Sequence, residues 1–190
     1  MKRLATVLIL ITILGGCLSN TPQAISISPK VDIPQSQVGK GRDLLVYVAD
    51  DRPKKTLGTL AVAAGGDISI EGDLVTSVQR AVNEGMSRMS FKTTAIKENA
   101  KSELRVEIRN LDYTVIERVC YLTLRIDAAL KGICIREGNR LYEKLYHGDF
   151  EKTIYKSQSK EANSQYINTA VSTAVNALLS DKELIACLAQ

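Results

Sequence analysis

The sequence has no tryptophan, two phenylalanines and a single histidine among its 190 residues. An aromatic cage or a base-stacking platform would therefore depend on its seven tyrosines. A zinc site takes three or four nitrogen and sulfur ligands. With one histidine and four cysteines, the chain has too few of these residues for most such ligand sets. Neither a Gly-x-Ser-x-Gly motif nor a Cys–His arrangement is apparent. The sequence therefore predicts a protein that is not an enzyme and that carries no cofactor or metal.

A large excess of one charge is also missing. The formal net charge is +4, from 25 Lys and Arg against 21 Asp and Glu. The first sixteen residues contain Lys2 and Arg3 and no acid, so the rest of the chain has 23 basic groups against 21 acidic groups. Nucleic-acid binding usually needs a concentrated basic face. The composition therefore predicts no nucleic-acid partner.

The N-terminal apolar run is too short to cross a bilayer. It extends from Leu4 to Leu14 and would rise only about 16 Å as a helix, against a hydrocarbon core of about 30 Å. A basic start, a short apolar run and the small residues Gly15 and Gly16 are typical of a secretory signal. We therefore predict a signal peptide over residues 1–16.

A cysteine stands directly after this segment. The sequence Leu-Gly-Gly-Cys at residues 14–17 resembles the lipobox of bacterial lipoproteins, which implies lipidation of Cys17. The alternative is an ordinary signal peptide followed by an incidental cysteine. Leu18, instead of aspartate, resembles the outer-membrane address of enteric lipoproteins. The resemblance implies a membrane anchor on Cys17, whose acyl chains suffice for stable attachment. A polar tether over residues 17–23 and a periplasmic domain would follow.

The sequence predicts one α+β domain over residues 24–190. The whole chain has 45% hydrophobic and 24% charged residues, which is typical of a globular protein with a core. Alternating or dense apolar runs predict strands at 24–28, 44–49, 57–60, 68–70, 91–95, 104–115, 120–136 and 140–154. Helical periodicity predicts helices at 73–89 and 160–179. A short final helix is predicted after residue 181, ending at residue 188. Because the strands follow one another through short turns, we expect an antiparallel sheet with the two main helices on one face.

Several local signals define these elements. Asp73 and Asp181 are plausible N-caps of helices, because their carboxylates can accept from the first free N–H groups. The apolar parity of the strand after residue 104 shifts near Asn110, which predicts a β-bulge. The helix at 160–179 has two adjacent apolar rows, and its polar residues are expected to face away from the core.

The order of these elements resembles the YajG family of Gram-negative lipoproteins. The supporting stretches are Ile-Ser-Ile-Ser-Pro-Lys at 25–30, Val-Ala-Asp-Asp-Arg-Pro-Lys-Lys-Thr-Leu-Gly at 48–58, Gly-Asp-Leu at 72–74 and Ala-Val-Asn-Ala-Leu-Leu at 174–179. The resemblance covers nearly the whole mature chain. It implies an outer-membrane lipoprotein with a periplasmic domain and a loose link to cell-wall metabolism. It brings no catalytic residues.

Four polar residues are the candidate site. Asp51 and Arg52 end an apolar strand, where they either hold the turn or clamp a ligand. The structural role is favoured. Tyr142 and Tyr146 lie on one face of a later strand and would line a cleft with Asp51 and Arg52 if the chain binds a cell-wall fragment.

Two other features are weaker. The segment Gly39–Arg42 lacks the spacing of a phosphate-binding loop and does not lie between a strand and a helix, so it predicts a flexible loop. His147 is expected on a strand surface, without further ligands.

Three cysteines remain besides Cys17. Cys120 and Cys134 would lie about 45 Å apart on one extended strand, too far for a disulfide. Cys187 could reach either of them in an oxidising compartment. The pairing stays open at this stage, and a remaining free thiol is expected to be buried.

Three functions remain open for a chain with an anchor and no apparent catalytic set. The leading hypothesis is a non-enzymatic binding or scaffolding component of the cell envelope. The second is an accessory or muropeptide-binding protein of cell-wall turnover. The third is a subunit of a multiprotein envelope or secretion complex that pairs through an open strand edge.

Overall fold

The computed structural model describes residues 21–60, 66–96 and 100–190. The predicted signal peptide and Cys17 lie outside these residues. The strands of the described part are β1 (Gln23–Ser26), β2 (Asp43–Asp50), β3 (Gly58–Thr59), β4 (Asp67–Glu71), β5 (Lys92–Thr94), β6 (Ser102–Glu117), β7 (Leu122–Arg136) and β8 (Asn139–Ile154). The helices are α1 (Leu74–Arg88), α2 (Lys160–Leu179) and α3 (Lys182–Leu188). The predicted α+β class is confirmed.

The strands form one mixed sheet in which β6 is central. One edge of β6 pairs with β7 in antiparallel fashion from Ser102 to Glu117. The other edge pairs with β2 from Ser102 to Ile108 and with β3 at Tyr113. Both pairings are parallel. β2 also pairs in parallel with β5, and β1 with β4. The prediction of a purely antiparallel sheet is therefore wrong for the first half of the chain.

The parallel pairing follows from the connection after β2. Parallel neighbours need a crossover of a dozen or more residues, usually with a helix. Residues 51–91 contain α1 and return the chain, so that β5 and β6 both run alongside β2 in its own direction. The dense apolar run Leu44–Ala49 is typical of such a strand, which is covered on both faces more often than an antiparallel one.

The second half of the sheet has the predicted meander. β6, β7 and β8 are antiparallel neighbours joined by short turns. The β6–β7 register shifts between Ile108 and Asn110, which confirms the predicted bulge. β8 pairs with β7 alone among the described strands, so one edge of this 16-residue strand is open.

The two main helices pack on one face of the sheet and touch each other. The Asp73 carboxylate caps α1 by accepting from the Val75 and Thr76 N–H groups, at 3.1 and 3.0 Å. α2 buries its apolar rows, and Val171 is 3% exposed. A Cβ at Gly148 of β8 would lie 2.0 Å from the Ala170 carbonyl oxygen, so glycine is what lets α2 cross β8 this closely.

Candidate functional site

The four predicted site residues lie in two separate groups. Asp51 and Arg52 follow β2, whereas Tyr142 and Tyr146 lie on β8. Two strands separate them, because Asp50 pairs with Ile108, Ile108 with Leu130, and Leu130 with Tyr146. Three strand spacings correspond to about 14 Å between backbones. Each group also has its own hydrogen-bond partners.

Arg52 is a buried guanidinium fixed by Asp50. Its Nε and Nη2 donate to the two Asp50 carboxylate oxygens at 2.9 Å each, and its backbone N–H donates to Oδ1 at 3.2 Å. Arg52 is 5% exposed. The Arg52 hydrogen bonds, with a smaller contribution from Lys55, lower the pKa of Asp50 to about 2 against the opposing effect of burial. This pair holds the turn after β2, as a fork of this kind can do.

Asp51 is not the carboxylate that pairs with Arg52. Its side chain is 45% exposed and lies 3.7 Å from Arg109 Nη1, on the outer face of the sheet. The carboxylate that pairs with Arg52 at this turn belongs to Asp50. The alternation of Leu44, Val46 and Val48 toward the core already places residue 50, and not 51, on the inner face.

The two tyrosines converge on Asp181, the N-cap of α3. The Tyr142 and Tyr146 hydroxyls each donate to Asp181 Oδ2 at 3.0 Å, and Lys144 Nζ donates to the same oxygen at 2.9 Å. Asp181 Oδ1 accepts from the Glu183 and Leu184 N–H groups at 2.9 and 3.1 Å. We call these four side chains, Tyr142, Lys144, Tyr146 and Asp181, the Asp181 cluster. It attaches α3 to β8.

The electrostatics of the Asp181 cluster agree with a structural role. Burial alone would raise the pKa of Asp181, but hydrogen bonds from Lys144, the Leu184 N–H and the two tyrosines hold it well below its usual range. Burial and the neighbouring carboxylate raise the pKa of the Tyr146 hydroxyl. At neutral pH the carboxylate is therefore charged and the hydroxyls are neutral. The hydroxyls donate their hydrogen bonds and the carboxylate accepts them.

A disulfide lies next to the cluster. Cys134 of β7 is bonded to Cys187 of α3, with 6.4 Å between their Cα atoms, inside the usual limit for such bonds. This settles the pairing that the sequence left open. Cys120 is a free cysteine and is exposed in the β6–β7 turn, so the expectation of a buried free thiol is wrong. The turn interrupts the predicted strand before Leu122, which leaves Cys120 outside the core.

The polar side of α2 also has a structural task. Residues 26–32, which we call the strap, run along α2. Polar side chains of the helix accept hydrogen bonds from backbone N–H groups of the strap. Asn168, Ser172 and Asn176 accept from the N–H groups of Ser28, Lys30 and Asp32 at 2.6, 2.9 and 2.8 Å. The spacing fits, because four helical residues rise about 6.0 Å and two extended residues about 6.6 Å.

A groove of about 1280 Å³ runs between the strap and the exposed side of α2. Glu161, Gln165, Thr169 and Thr173 line it from the helix. Their carboxylate, amide and hydroxyl groups can hydrogen-bond a polar ligand such as a sugar or a peptide.

The weaker sequence candidates lie elsewhere. The Gly39–Arg42 loop packs against the end of α1, where the Gly39 and Gly41 N–H groups donate to the Met89 and Ser90 carbonyls at 2.8 and 2.7 Å. His147 is exposed on β8, opposite Ala129. Within the residues that the structure describes, no group of three His, Cys, Asp or Glu side chains could hold a metal ion.

A family model described as an uncharacterised lipoprotein matches residues 29–189. No curated protein matches the chain. The protein XCC0632 from Xanthomonas campestris has a similar structure, at 9% identity and a TM-score of 0.55, over 87% of this chain and 94% of that one. A neuraminyllactose-binding hemagglutinin homologue from Helicobacter pylori is similar at 9% identity and a TM-score of 0.53, over 84% and 96%. These similarities show a shared fold.

Proposed function

This chain belongs to the YajG family of uncharacterised lipoproteins, and on that premise we propose that it is an outer-membrane lipoprotein anchored through Cys17. Its domain faces the periplasm. The single observation that carries this proposal is the Leu-Gly-Gly-Cys sequence at residues 14–17 ahead of a domain that the family model matches. Leu18 supports the outer-membrane address. In the described residues no helix is long and apolar enough to cross a membrane.

Replacing Cys17 by serine is expected to release the protein from the membrane, because acyl attachment needs the thiol. Intact mass of the wild type should show cleavage before Cys17 and added acyl chains. Cys120→Ser is the matched control, since Cys120 is the free, exposed cysteine of the described residues, and its replacement should leave fractionation unchanged. A Cys17→Ser protein that still sediments wholly with outer membranes would contradict the anchor.

We further propose that the domain is a non-enzymatic binding or scaffolding component of the envelope. The support is the open edge of β8, whose outer face carries Leu141 and Leu145, exposed by 48% and 44%. An unpaired strand edge of this length can accept an extended segment of a partner, whose side chains would contact the exposed leucines.

A charge at Leu145 is expected to reduce partner capture. Leu145→Glu places a carboxylate opposite Lys131, its register partner, so the fold should persist. Thr153→Glu, on the same face of the same strand, is the control. The measurement is the amount of cross-linked envelope protein recovered with each variant. Equal recovery from both variants would show that this part of the β8 edge is not the binding surface.

The groove beside α2 supports the second candidate, a muropeptide-binding accessory of cell-wall turnover. Its carboxylate, amide and hydroxyl groups match the hydrogen-bonding groups of a glycan and a short peptide. Purified muropeptides should bind the wild type in a calorimetric titration and bind Thr169→Arg less well, since that arginine fills the groove. Ser87→Arg, at an exposed site on α1, is the control. Absence of binding by the wild type would remove this candidate.

A further inference from the structure

One end of the domain carries three exposed apolar or aromatic side chains close together. Val119 and Tyr121 lie in the β6–β7 turn and are 102% and 42% exposed, and Tyr155 is 80% exposed. Leu122 of β7 pairs with Ile154 of β8, so Tyr121 and Tyr155 leave the sheet side by side. We call the segments 118–121 and 155–156 the exposed tip.

The tip is basic as well as aromatic. Arg118 precedes Val119, Lys156 follows Tyr155, and both are exposed. Neither segment contains an acidic residue, and with the exposed Glu117 that directly precedes Arg118 this end keeps a net charge of +1. Tyrosine is enriched at the headgroup level of membranes because its ring is apolar and its hydroxyl is polar. Basic side chains are attracted to anionic headgroups. The composition of the tip therefore matches a bilayer surface.

The N-terminal chain enters the domain toward the same end. Gln23 Nε2 donates to the Gln158 carbonyl at 3.2 Å, and Asn163 Nδ2 donates to Gln23 Oε1 at 2.9 Å. β1 runs antiparallel to β6, because β1 is parallel to β4, β4 antiparallel to β3, and β3 parallel to β6. The N-terminal end of β1 therefore faces the same end of the sheet as the β6–β7 turn.

The predicted tether is about as long as the distance by which the tip projects beyond the level of Gln23. Gln23 is level with Tyr113 through the pairs with Ile68 and Gly58. From Tyr113 the hairpin extends four residues to Glu117 and then turns, a projection of about 13–20 Å at ~3.3 Å per residue. The six residues from Cys17 to Gln23 reach at most about 20–22 Å when extended. A lipid on Cys17 would thus bring the tip to the membrane surface.

We propose that the exposed tip docks into the headgroup layer of the bilayer that holds the anchor. The inference rests on the proposed lipidation of Cys17. Tethering makes the contact intramolecular, so a few weakly bound side chains are enough to populate it. Val119 and the two tyrosines enter the interface, and Arg118 and Lys156 lie at the phosphates. The domain then has a fixed orientation in which β8 and the α2 groove extend away from the membrane.

The absence of tryptophan gives a direct test. The lipidated chain carrying Val119→Trp is reconstituted in vesicles of phosphatidylethanolamine and phosphatidylglycerol, and its emission is measured with lipids brominated near the headgroup. We expect a blue shift and strong quenching. The control is Tyr47→Trp, also exposed, whose register partner Arg105 lies about 40 Å along β6 from Glu117. The control should show neither effect.

A second measurement needs no substitution in the tip. Cys120 is the free thiol among the described cysteines, so a nitroxide label can be attached to it. With the protein in vesicles, this label should collide often with oxygen and rarely with a polar nickel complex. Mass and flotation of the same sample report the anchor separately. A lipidated, floating protein with no quenching and no change at Cys120 overturns the docking alone.

Two further outcomes overturn the inference. A chain that is not acylated and does not float overturns both the anchor and the docking that depends on it. Quenching that is equal for Val119→Trp and Tyr47→Trp shows that the domain lies on the bilayer without a preferred end. Wild-type melting behaviour of both variants, measured first, ensures that the emission comes from folded protein.

Discussion

Replacing Asp181 by alanine is expected to lower the free energy of unfolding by about 2–4 kcal/mol, from the lost N-cap and the unpaired buried hydroxyl, a large part of a total of about 5–15 kcal/mol. The substitution removes the acceptor of five hydrogen bonds. Tyr146, which is 4% exposed, keeps a buried hydroxyl without its acceptor, and α3 loses its N-cap. Chemical denaturation with the Cys134–Cys187 disulfide intact measures the effect.

Acid should remove the charge-dependent part of this stabilisation in the wild type. The pKa of Asp181 is lowered in the folded state, so its contribution is complete above the unfolded value of about 3.9 and is lost as pH falls toward the folded pKa. Asp181→Asn keeps an oxygen for the cap but not the charge, so the difference from wild type should shrink below about pH 4. Glu183→Ala, an exposed neighbour in α3, is the control. A constant difference across this range would contradict the assignment.

The elements with strong local signals could be predicted from the sequence. α2 spans Lys160–Leu179 as predicted, because its two apolar rows are continuous and Ser159 caps it. Asp73 and the shift of parity at Asn110 fixed the start of α1 and the bulge of β6 in the same way. Each of these signals is complete within a few residues of chain.

Strand direction and long-range pairing could not be predicted in this way. The apolar run Leu44–Ala49 is compatible with parallel or antiparallel pairing. The parallel direction is seen only when β2 is placed between β5 and β6. The polar residues of α2 look solvent-facing in the sequence, because the strap that they hold is about 140 residues away. The Cys134–Cys187 bond likewise depends on where α3 packs.

The candidate site shows the same limit at the level of one residue. The sequence Asp50-Asp51-Arg52 offers two carboxylates to one guanidinium, and turn chemistry alone does not distinguish them. The parity of β2 does, since even-numbered residues face the core. Tyr142 and Tyr146 were correctly placed on one face, but their common partner Asp181 comes 35 residues or more later in the chain.

Replacing Asp50 by alanine is expected to destabilise the fold by about 3–5 kcal/mol, because it leaves a buried guanidinium without its counter-ion. Arginine cannot lose its proton to escape this penalty. Asp51→Ala is the matched control one residue away. Asp51 is exposed and has only the 3.7 Å contact with Arg109, so its loss should change stability by less than about 0.5 kcal/mol. Thermal and urea denaturation of the two variants measure the difference.

Further comparisons distinguish a buried ion pair from a ligand-binding role. Asp50→Ala combined with Arg52→Ala should cost less than the sum of the single changes, since neither charge is then left alone. The pKa of Asp50 is about 2 in the folded protein, so its contribution is present above about pH 3.9 and is lost as pH falls toward 2. If Asp51→Ala destabilised more than Asp50→Ala, the turn would be held by the other carboxylate. If Arg52→Lys left the melting temperature unchanged but abolished partner binding, Arg52 would act in binding, because an ammonium cannot reproduce the fork onto Asp50.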